Sequence, residues 1–322
     1  MNSKQPIVLA LALVLAPLLK LGTLPVYAGT QIGADLLYMQ VDRSNLFYAI
    51  NGDPSGDLSG PTQSVRPESE TGFRVNASHD LSSRWIASLS YTALDGKTDD
   101  RSTGTDIWSL RCDPWETCDN DTGYAGVARA NYKFDYSHIA IEFGYDIPLA
   151  NNTLSLQPVL GLARLDVEQE LHTVYDETVA PGTGIDIDRI DEATQAEGIG
   201  LLIGLNSRLE LSNRFELNAR WRFTSYSVDS DSAYSMSDVD ASSVSTNTTL
   251  QASSAVSASE IGVGINWLIS ERFDASLAYQ VINISDGLGG FINFPDDTVA
   301  KISIDDSGLG FNGVNVNFRA EF

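Results

Sequence analysis

Apolar and polar residues alternate with a period of two along most of this chain, in runs of about ten residues. The clearest run closes the chain, where Val314, Val316, Phe318, Ala320 and Phe322 alternate with glycine and polar residues. Runs of this length and period are typical of transmembrane β-barrel strands, whose side chains point in turn to lipid and to the interior. The pattern therefore predicts an all-β fold, a transmembrane antiparallel up-and-down β-barrel.

One run, between residues 123 and 147, changes phase. Its apolar residues occupy even positions from Ala128 to Phe134 and odd positions from Ile139 to Tyr145. A β-bulge at 135–137 in one long strand produces such a change, and so does a tight turn between two strands. With the bulge, the even residues of the first part are predicted to face lipid.

The lengths of the links between the runs decide the strand number. Bacterial barrels have short periplasmic turns and long extracellular loops. Counted back from Phe322, short and long links alternate only if 123–147 is a single strand. The long links are then 42–68, 95–122, 168–195, 228–257 and 285–309. We predict ten strands, with eight or twelve as the alternatives, and extracellular long loops.

The first residues have the features of a secretory signal peptide. Lys4 precedes an almost wholly apolar stretch from Ile7 to Leu19, and Val26-Tyr27-Ala28 resembles a signal peptidase site. We predict a signal peptide over 1–28 and an outer-membrane β-barrel over 29–322, in the outer membrane of a Gram-negative-type bacterium.

The net charge bears on the binding partners of the protein, and the two cysteines bear on a disulfide or a metal site. The formal net charge of −23 at pH 7 argues against nucleic acid as a partner. Cys112 and Cys118 lie close together in a predicted extracellular loop, and an exported protein favours a disulfide between them. No metal site is predicted from these residues, because no further His or Cys lies nearby.

The interior positions of the predicted strands carry charges of both signs. The candidates for lining a pore are Arg74, Arg129, Lys133, Glu142, Arg208, Glu210, Glu216, Arg220, Arg222, Glu260 and Arg319. Such residues either line a wet channel or pair with one another and fill the barrel, and about ten strands is near the filled end of the range.

Acidic residues are concentrated in the second and third long loops, for example Asp99, Asp106, Asp176 and Asp188. They either gather divalent cations beside lipopolysaccharide or keep the loops solvated, and the second interpretation is favoured because no ligand order is evident. Outer-membrane lipid, lipopolysaccharide and the barrel-assembly machinery are the expected partners. Phe318 and Phe322 are the predicted assembly signal.

Candidate catalytic residues are few. The histidines are His79, His138 and His172, and His172 with Asp166 and Glu168 resembles the pairing of histidine and carboxylate in outer-membrane hydrolases. A histidine near an acid is expected by chance in so acidic a chain, and no phosphate-binding loop is present. We therefore predict no enzymatic activity and no cofactor.

Several diffuse patterns resemble a known family. They are Gly33-Ala34-Asp35-Leu36-Leu37-Tyr38, Tyr132-Lys133-Phe134-Asp135-Tyr136 with Glu142-Phe143-Gly144-Tyr145, and 156–164. Together with the closing strand they resemble the Legionella-type major outer membrane proteins, which are pore-forming barrels. The resemblance implies a porin-like barrel for passive diffusion of small solutes, with a cation preference from its acidic mouth. The alternative is a closed barrel that serves as a surface scaffold or adhesin through its long loops.

Overall fold

The computed structural model describes residues 29–51, 60–111, 124–150, 153–177, 187–238, 243–296, 301–305 and 307–322. The predicted signal peptide and both cysteines of the predicted disulfide lie outside these ranges. No helix in the described part of the chain is long and apolar enough to cross a membrane.

Most of the described residues form strands. They are β1 (Thr30–Arg43), β2 (Phe47–Asn51), β3 (Thr62–Ser64), β4 (Ser69–Asp80), β5 (Trp85–Ser109), β6 (Tyr124–Tyr145), β7 (Ile147–Leu149), β8 (Leu154–Glu177), β9 (Ile187–Ser212), β10 (Phe215–Asp238), β11 (Ser243–Ser270), β12 (Phe273–Ile284), β13 (Phe291–Asp296), β14 (Lys301–Asp305) and β15 (Leu309–Glu321).

Ten of these strands close into one antiparallel barrel, which confirms the predicted fold and strand number. Neighbours around the barrel follow the chain in the order β1, β4, β5, β6, β8, β9, β10, β11, β12 and β15. The seam joins β1 to β15, with Ala34 opposite Phe318. At its lower end Phe322 donates its N–H to the carbonyl of Thr30 and accepts from Gly29. Closure leaves the membrane-spanning ladder without an edge, as lipid requires.

A band of apolar side chains surrounds the half of the barrel that adjoins the short turns, here called the lower half. Its members are largely exposed, and include Leu36, Leu89, Ile141, Leu162, Leu201, Trp221, Ile261, Leu277 and Phe318. Exposed side chains of this kind are stable only against lipid, so the band marks the membrane-spanning half. The short turns lie below it and the long links above it.

Six strands continue well beyond this band. A membrane-spanning strand needs about 9–11 residues, whereas β5 has 25 residues and β11 has 28. The parts above the band, residues 93–109, 124–137, 166–177, 187–197, 225–238 and 243–259, are here called the extracellular half. The prediction of loops was therefore wrong for residues 95–109, 168–177, 187–195, 228–238 and 243–257, which are strand. The remainder of these three links lies mostly outside the described residues.

The polarity of the inward and outward side chains is reversed between the membrane-spanning half and the extracellular half. On β10, outward residues are apolar as far as Phe223 and mostly polar from Ser225 onwards. Inward residues of β10 are charged or carry an amide as far as Arg222, and are mostly apolar from Tyr226 onwards. The extracellular half therefore has the organisation of a water-soluble β-protein, with an apolar interior and a polar surface.

This exchange explains the change of phase in β6. Strands β5 and β6 pair without a register shift from Trp85 opposite Tyr145 to Gly104 opposite Gly126, so the predicted bulge at 135–137 is wrong. The even residues from Ala128 to Phe134 are buried in the lumen and do not face lipid. The single strand was predicted correctly, but the polarity changes because it leaves the membrane.

Candidate functional site: the barrel lumen

The lumen of the membrane-spanning half contains a polar cavity of about 550 Å³. Its lower rim is formed by residues of the short turns, such as Asp80, Ser82 and Asp146, and so faces the periplasm. Arg208, Glu216 and Arg319 line its walls. Charged and amide side chains can hold water in a cavity of this size.

A network of charged side chains crosses the lumen at the top of this cavity. We call Arg74, Glu142, Arg220, Arg222 and Glu260 the charge girdle. Arg222 donates through Nε and Nη2 to the two carboxylate oxygens of Glu142, at 2.9 and 2.8 Å. Arg220 lies 3.6 Å from Glu142 and 3.2 Å from Glu260, while Arg74 lies 3.6 Å from Glu260. The girdle thereby links β4, β6, β10 and β11 across the barrel.

Neutral side chains complete the girdle. Gln280 on β12 donates to Glu260 at 2.9 Å, and Asn315 on β15 donates to Gln280 at 3.1 Å. Arg74 donates to Thr92 on β5 at 2.9 Å. Each charge of the girdle thus has a partner of opposite sign, which a buried charge requires. Gln280, Asn315 and Thr92 are neutral and were not among the predicted candidates, all of which carry a charge.

The predicted lining residues fall into four groups. Arg74, Glu142, Arg220, Arg222 and Glu260 form the girdle, and Arg208, Glu216 and Arg319 line the cavity. Glu210 lies exposed on the same face of β9, at the periplasmic end. Arg129 and Lys133 form the last group.

Arg129 and Lys133 do not line the lumen. They lie on the outer surface of the extracellular half, where Lys133 binds Asp135 at 3.0 Å and Glu170 at 3.8 Å. Their prediction as lining residues depended on the bulge in β6. Without it, odd-numbered residues of this strand point outwards along its whole length.

Above the girdle, aromatic residues fill the lumen. Tyr226 lies 3.0 Å from Nε2 of His138 through its hydroxyl. The rings of Tyr136 and Phe134 contact Phe311 with centroids 4.9 and 6.0 Å apart. This luminal core continues upwards through Tyr132, Tyr175 and Tyr234, all fully buried. Burial raises the pKa of Tyr175 to about 12, so its hydroxyl stays neutral and donates to the carbonyl of Tyr48.

Part of the last long link enters the lumen and packs on this core. We call residues 285–292 the luminal segment. The carbonyl of Gly290 accepts from Thr194 and Ser232, both at 2.8 Å, and Leu288 is fully buried. Gly287 and Gly289 have φ values of +111° and +74°, which other residues adopt only with strain. The turn that carries the segment into the barrel therefore depends on these glycines.

Arg111 fastens the top of the core. Its guanidinium donates to the carbonyls of Phe47 and Asn45 at 2.7 and 2.6 Å, and lies 3.7 Å from the buried carboxylate of Glu192. It also lies over the ring of Phe291 at 5.6 Å. One side chain thus joins the end of β5, β9, the luminal segment and the chain around β2. Sequence alone does not indicate this role, since Arg111 was taken as part of a loop.

The three histidines have separate partners. His79 bonds Thr30 near the seam, His138 bonds Tyr226 in the lumen, and His172 bonds Asp191 on the outer surface. Among the described residues no group of three or more His, Cys, Asp or Glu side chains has the spacing of a metal site.

Comparison with known proteins identifies the family. Residues 24–319 match the sequence profile described as Legionella pneumophila major outer membrane protein precursor. The chain belongs to this family. Membership, together with the barrel fold, places this family member in the outer membrane of a Gram-negative bacterium. No curated protein matches the sequence individually.

Several solved structures align with this chain at low sequence identity. The outer membrane protease OmpT from Escherichia coli is 10% identical, with a TM-score of 0.51, over 94% of this chain and 99% of that one. The Pseudomonas putida toluene transporter TodX is 12% identical, with a TM-score of 0.37, over 94% of this chain and 92% of that one. A major outer membrane protein from Thermus thermophilus is 10% identical, with a TM-score of 0.34, over 92% and 100% of the two chains. The similarity to OmpT concerns the fold alone.

Proposed function

We propose that this member of the family is a closed barrel that presents a rigid extracellular surface as a scaffold or adhesin. The observation that carries the proposal is the filled lumen of the extracellular half. The luminal core, the luminal segment and the charge girdle succeed one another along the barrel axis. A solute would have to displace all three.

The packing of the lumen indicates that the barrel is closed by more than the charge girdle acting as a gate. Opening the girdle alone would lead from the periplasmic cavity to the buried rings of Tyr136 and Phe311. Protein interiors are close-packed and resist continuous deformation, so the core cannot widen gradually. The long strands add support for the scaffold role, because they hold the outer surface rigidly above the headgroups.

Porin-like diffusion, which the sequence led us to expect, stays a prediction. The polar cavity of about 550 Å³ is the observation that favours it. Cation preference would then arise at an acidic mouth. Neither interpretation requires catalysis, and we propose that the protein is not an enzyme.

Liposome swelling tests closure. Vesicles that contain the purified barrel are expected to be as impermeable to small sugars as protein-free vesicles, and so not to swell. A variant in which 286–292 is replaced by a glycine-serine linker serves as the matched comparison, because it removes the luminal segment and leaves every barrel strand intact. Sugar uptake by the wild-type protein would favour the porin.

The scaffold role is tested on cells. Shortening the β10–β11 hairpin above Ser232 and Leu250 is expected to reduce binding of the protein to its surface partners while leaving the barrel folded. Unchanged surface binding and unchanged envelope integrity after this deletion would count against the scaffold.

A further inference from the structure

The upper part of β11 is paired on one side only. β10 pairs with it up to Ser243, but β12 ends at Ile284, opposite Ala258. Ser285 makes the last contacts, donating its N–H to the carbonyl of Ser257 at 2.8 Å and accepting through its hydroxyl from the N–H of Ser257 at 3.0 Å. Beyond Ser257, within the described ranges, no main-chain group pairs with the side of β11 that faces away from β10.

The contacts of Ser257 identify which residues face this side. Its N–H and C=O both point away from β10, and alternate residues of an antiparallel strand present their main-chain groups to the same side. Ala255, Ser253, Gln251, Thr249 and Asn247 therefore carry unpaired N–H and C=O groups. We call these five positions the open edge.

The open edge is held in strand geometry by its side chains. Ser253 donates to Asp229 at 2.6 Å and Gln251 donates to Asp231 at 2.6 Å, both on β10. These bonds lie on the outer surface and leave the main-chain edge accessible. A strand that is already extended and fixed loses little conformational freedom when another strand joins it.

The sequence of this segment lacks the usual protection of an edge strand. Proteins prevent strand addition with charged side chains, proline or bulges. From Asn247 to Ala258 the chain has no Asp, Glu, Lys, Arg or Pro, and the register shift of the β10–β11 ladder lies above this range, between Thr246 and Val244. The opposite edge of the extracellular half, on β5, differs: it carries Asp95, Lys97 and Arg101 and is covered by β2 at Ile107 to Ser109.

A second copy of the chain in the same membrane cannot extend this edge by an antiparallel ladder. Two copies in one membrane are related by an axis along the membrane normal, so β11 runs towards the membrane in both. The antiparallel ladder that joins two edges needs strands of opposite direction.

We propose that the open edge binds an extended basic polypeptide by strand addition. Main-chain hydrogen bonds to Asn247–Ala255 would supply affinity, as in other β-augmentation complexes. The basic character follows from charge: Asp229 and Asp231 flank the edge on β10, Asp286 follows its last contact, and the whole chain has a net charge of −23. The proposal names a partner class for the proposed scaffold and rests on that role, but not on a closed lumen.

The test uses the purified folded barrel and a labelled peptide of alternating Thr and Lys that matches the edge in length. Two N-methylated forms of the peptide are compared, each blocked at a different set of alternate amides. Only one set faces β11 in the added strand. We expect the unmodified peptide and one methylated form to bind, and the other form to bind at least about tenfold more weakly. Equal binding of both forms, or no binding of the unmodified peptide, would overturn the proposal.

Variants of the barrel provide a second measurement. Ser253→Pro removes an N–H from the open edge, where no ladder bond to β10 is lost. Ser253→Ala removes the bond to Asp229 and keeps the N–H. We expect Ser253→Pro to weaken peptide binding and Ser253→Ala to retain it, with heat-modifiable migration showing that both are folded. Conductance steps in a bilayer would contradict the closed barrel and leave this result unchanged, so the two proposals fail separately.

Discussion

Arg222 and Glu142 form a bidentate ion pair across the lumen, with N–O distances of 2.9 and 2.8 Å. Both side chains are buried, at 4% and 9% exposure. The pair joins β10 to β6, which are not neighbours in the barrel. It therefore fixes the cross-section of the barrel at the level where the lumen changes from polar to apolar.

Removing one partner of this pair is expected to destabilise the barrel strongly. Arg222→Met leaves the buried Glu142 carboxylate with Arg220, 3.6 Å away, as its remaining cation. Loss of one partner of a buried ion pair lowers the free energy of unfolding by about 3–5 kcal/mol. Urea unfolding in detergent micelles measures the loss. The matched control is Arg164→Met, which breaks the 2.8 Å pair with Glu197. That pair is 55% and 48% exposed, so about 0–1 kcal/mol is expected. Equal losses in both variants would refute the structural role of the girdle.

Two facing carboxylates on the outer surface predict that the stability of the folded barrel depends on pH. Asp95 lies opposite Asp135, and burial followed by the charge of Asp135 raises the pKa of Asp95. A raised pKa means that folding favours the protonated form, so this stability is present at low pH and is lost as pH rises through the folded pKa. We expect Asp95→Asn to raise the melting temperature at neutral pH and to have little effect in acid.

The control for this experiment is Asp42→Asn, since Asp42 lies opposite Gly310 and faces no carboxylate there. Its melting temperature should follow the wild type at both pH values. A gain for Asp95→Asn that persists unchanged in acid would show that charge repulsion is not its cause.

Phe322 is predicted to direct assembly. Its ring is exposed to lipid, and its main chain bonds Thr30 and Gly29 at the seam. Deleting Phe322 removes these seam bonds together with the terminal aromatic side chain, and should lower the amount of barrel at the cell surface. Phe322→Tyr keeps the aromatic ring and the main-chain bonds and should assemble normally. Normal surface levels of the deletion variant would show that the terminal residue has no such role.

The disulfide between Cys112 and Cys118 stays a prediction. Arg111, directly before it, is fixed by the carbonyls of Phe47 and Asn45. Reduction should therefore free only the tip of the link, where a ring this small contributes about 2–3 kcal/mol. Protease sensitivity of the loop should rise while heat-modifiable migration persists. Free thiols in the unreduced native protein would disprove the bridge.

The sequence was sufficient to predict the barrel because closure and register depend on local patterns. The alternation that ends at Phe322 indicates which residues of a strand lie on the same face, and the spacing of short and long links indicates the order in which the strands join. They also assigned Arg220, Arg222 and Glu260 to the interior, where the structure has them.

The luminal core could not be predicted in the same way. A period of two shows that Tyr132 and Phe134 share a face, but not whether that face meets lipid or lumen. The answer depends on how far each residue lies above the membrane, which requires the tilt and length of the whole strand. The position of Leu288 in the lumen depends on a long-range turn at Gly287 and Gly289, and no local pattern indicates it.

Single-channel recording in a planar bilayer tests the closed barrel most directly. The wild-type protein, inserted as a folded barrel, is expected to give no conductance steps at any applied voltage, because the luminal core and the luminal segment remain in place above the charge girdle. The variant without residues 286–292 provides the comparison for a partly emptied lumen. Regular conductance steps from the wild-type protein, with or without a preference for cations, would contradict closure and favour the porin.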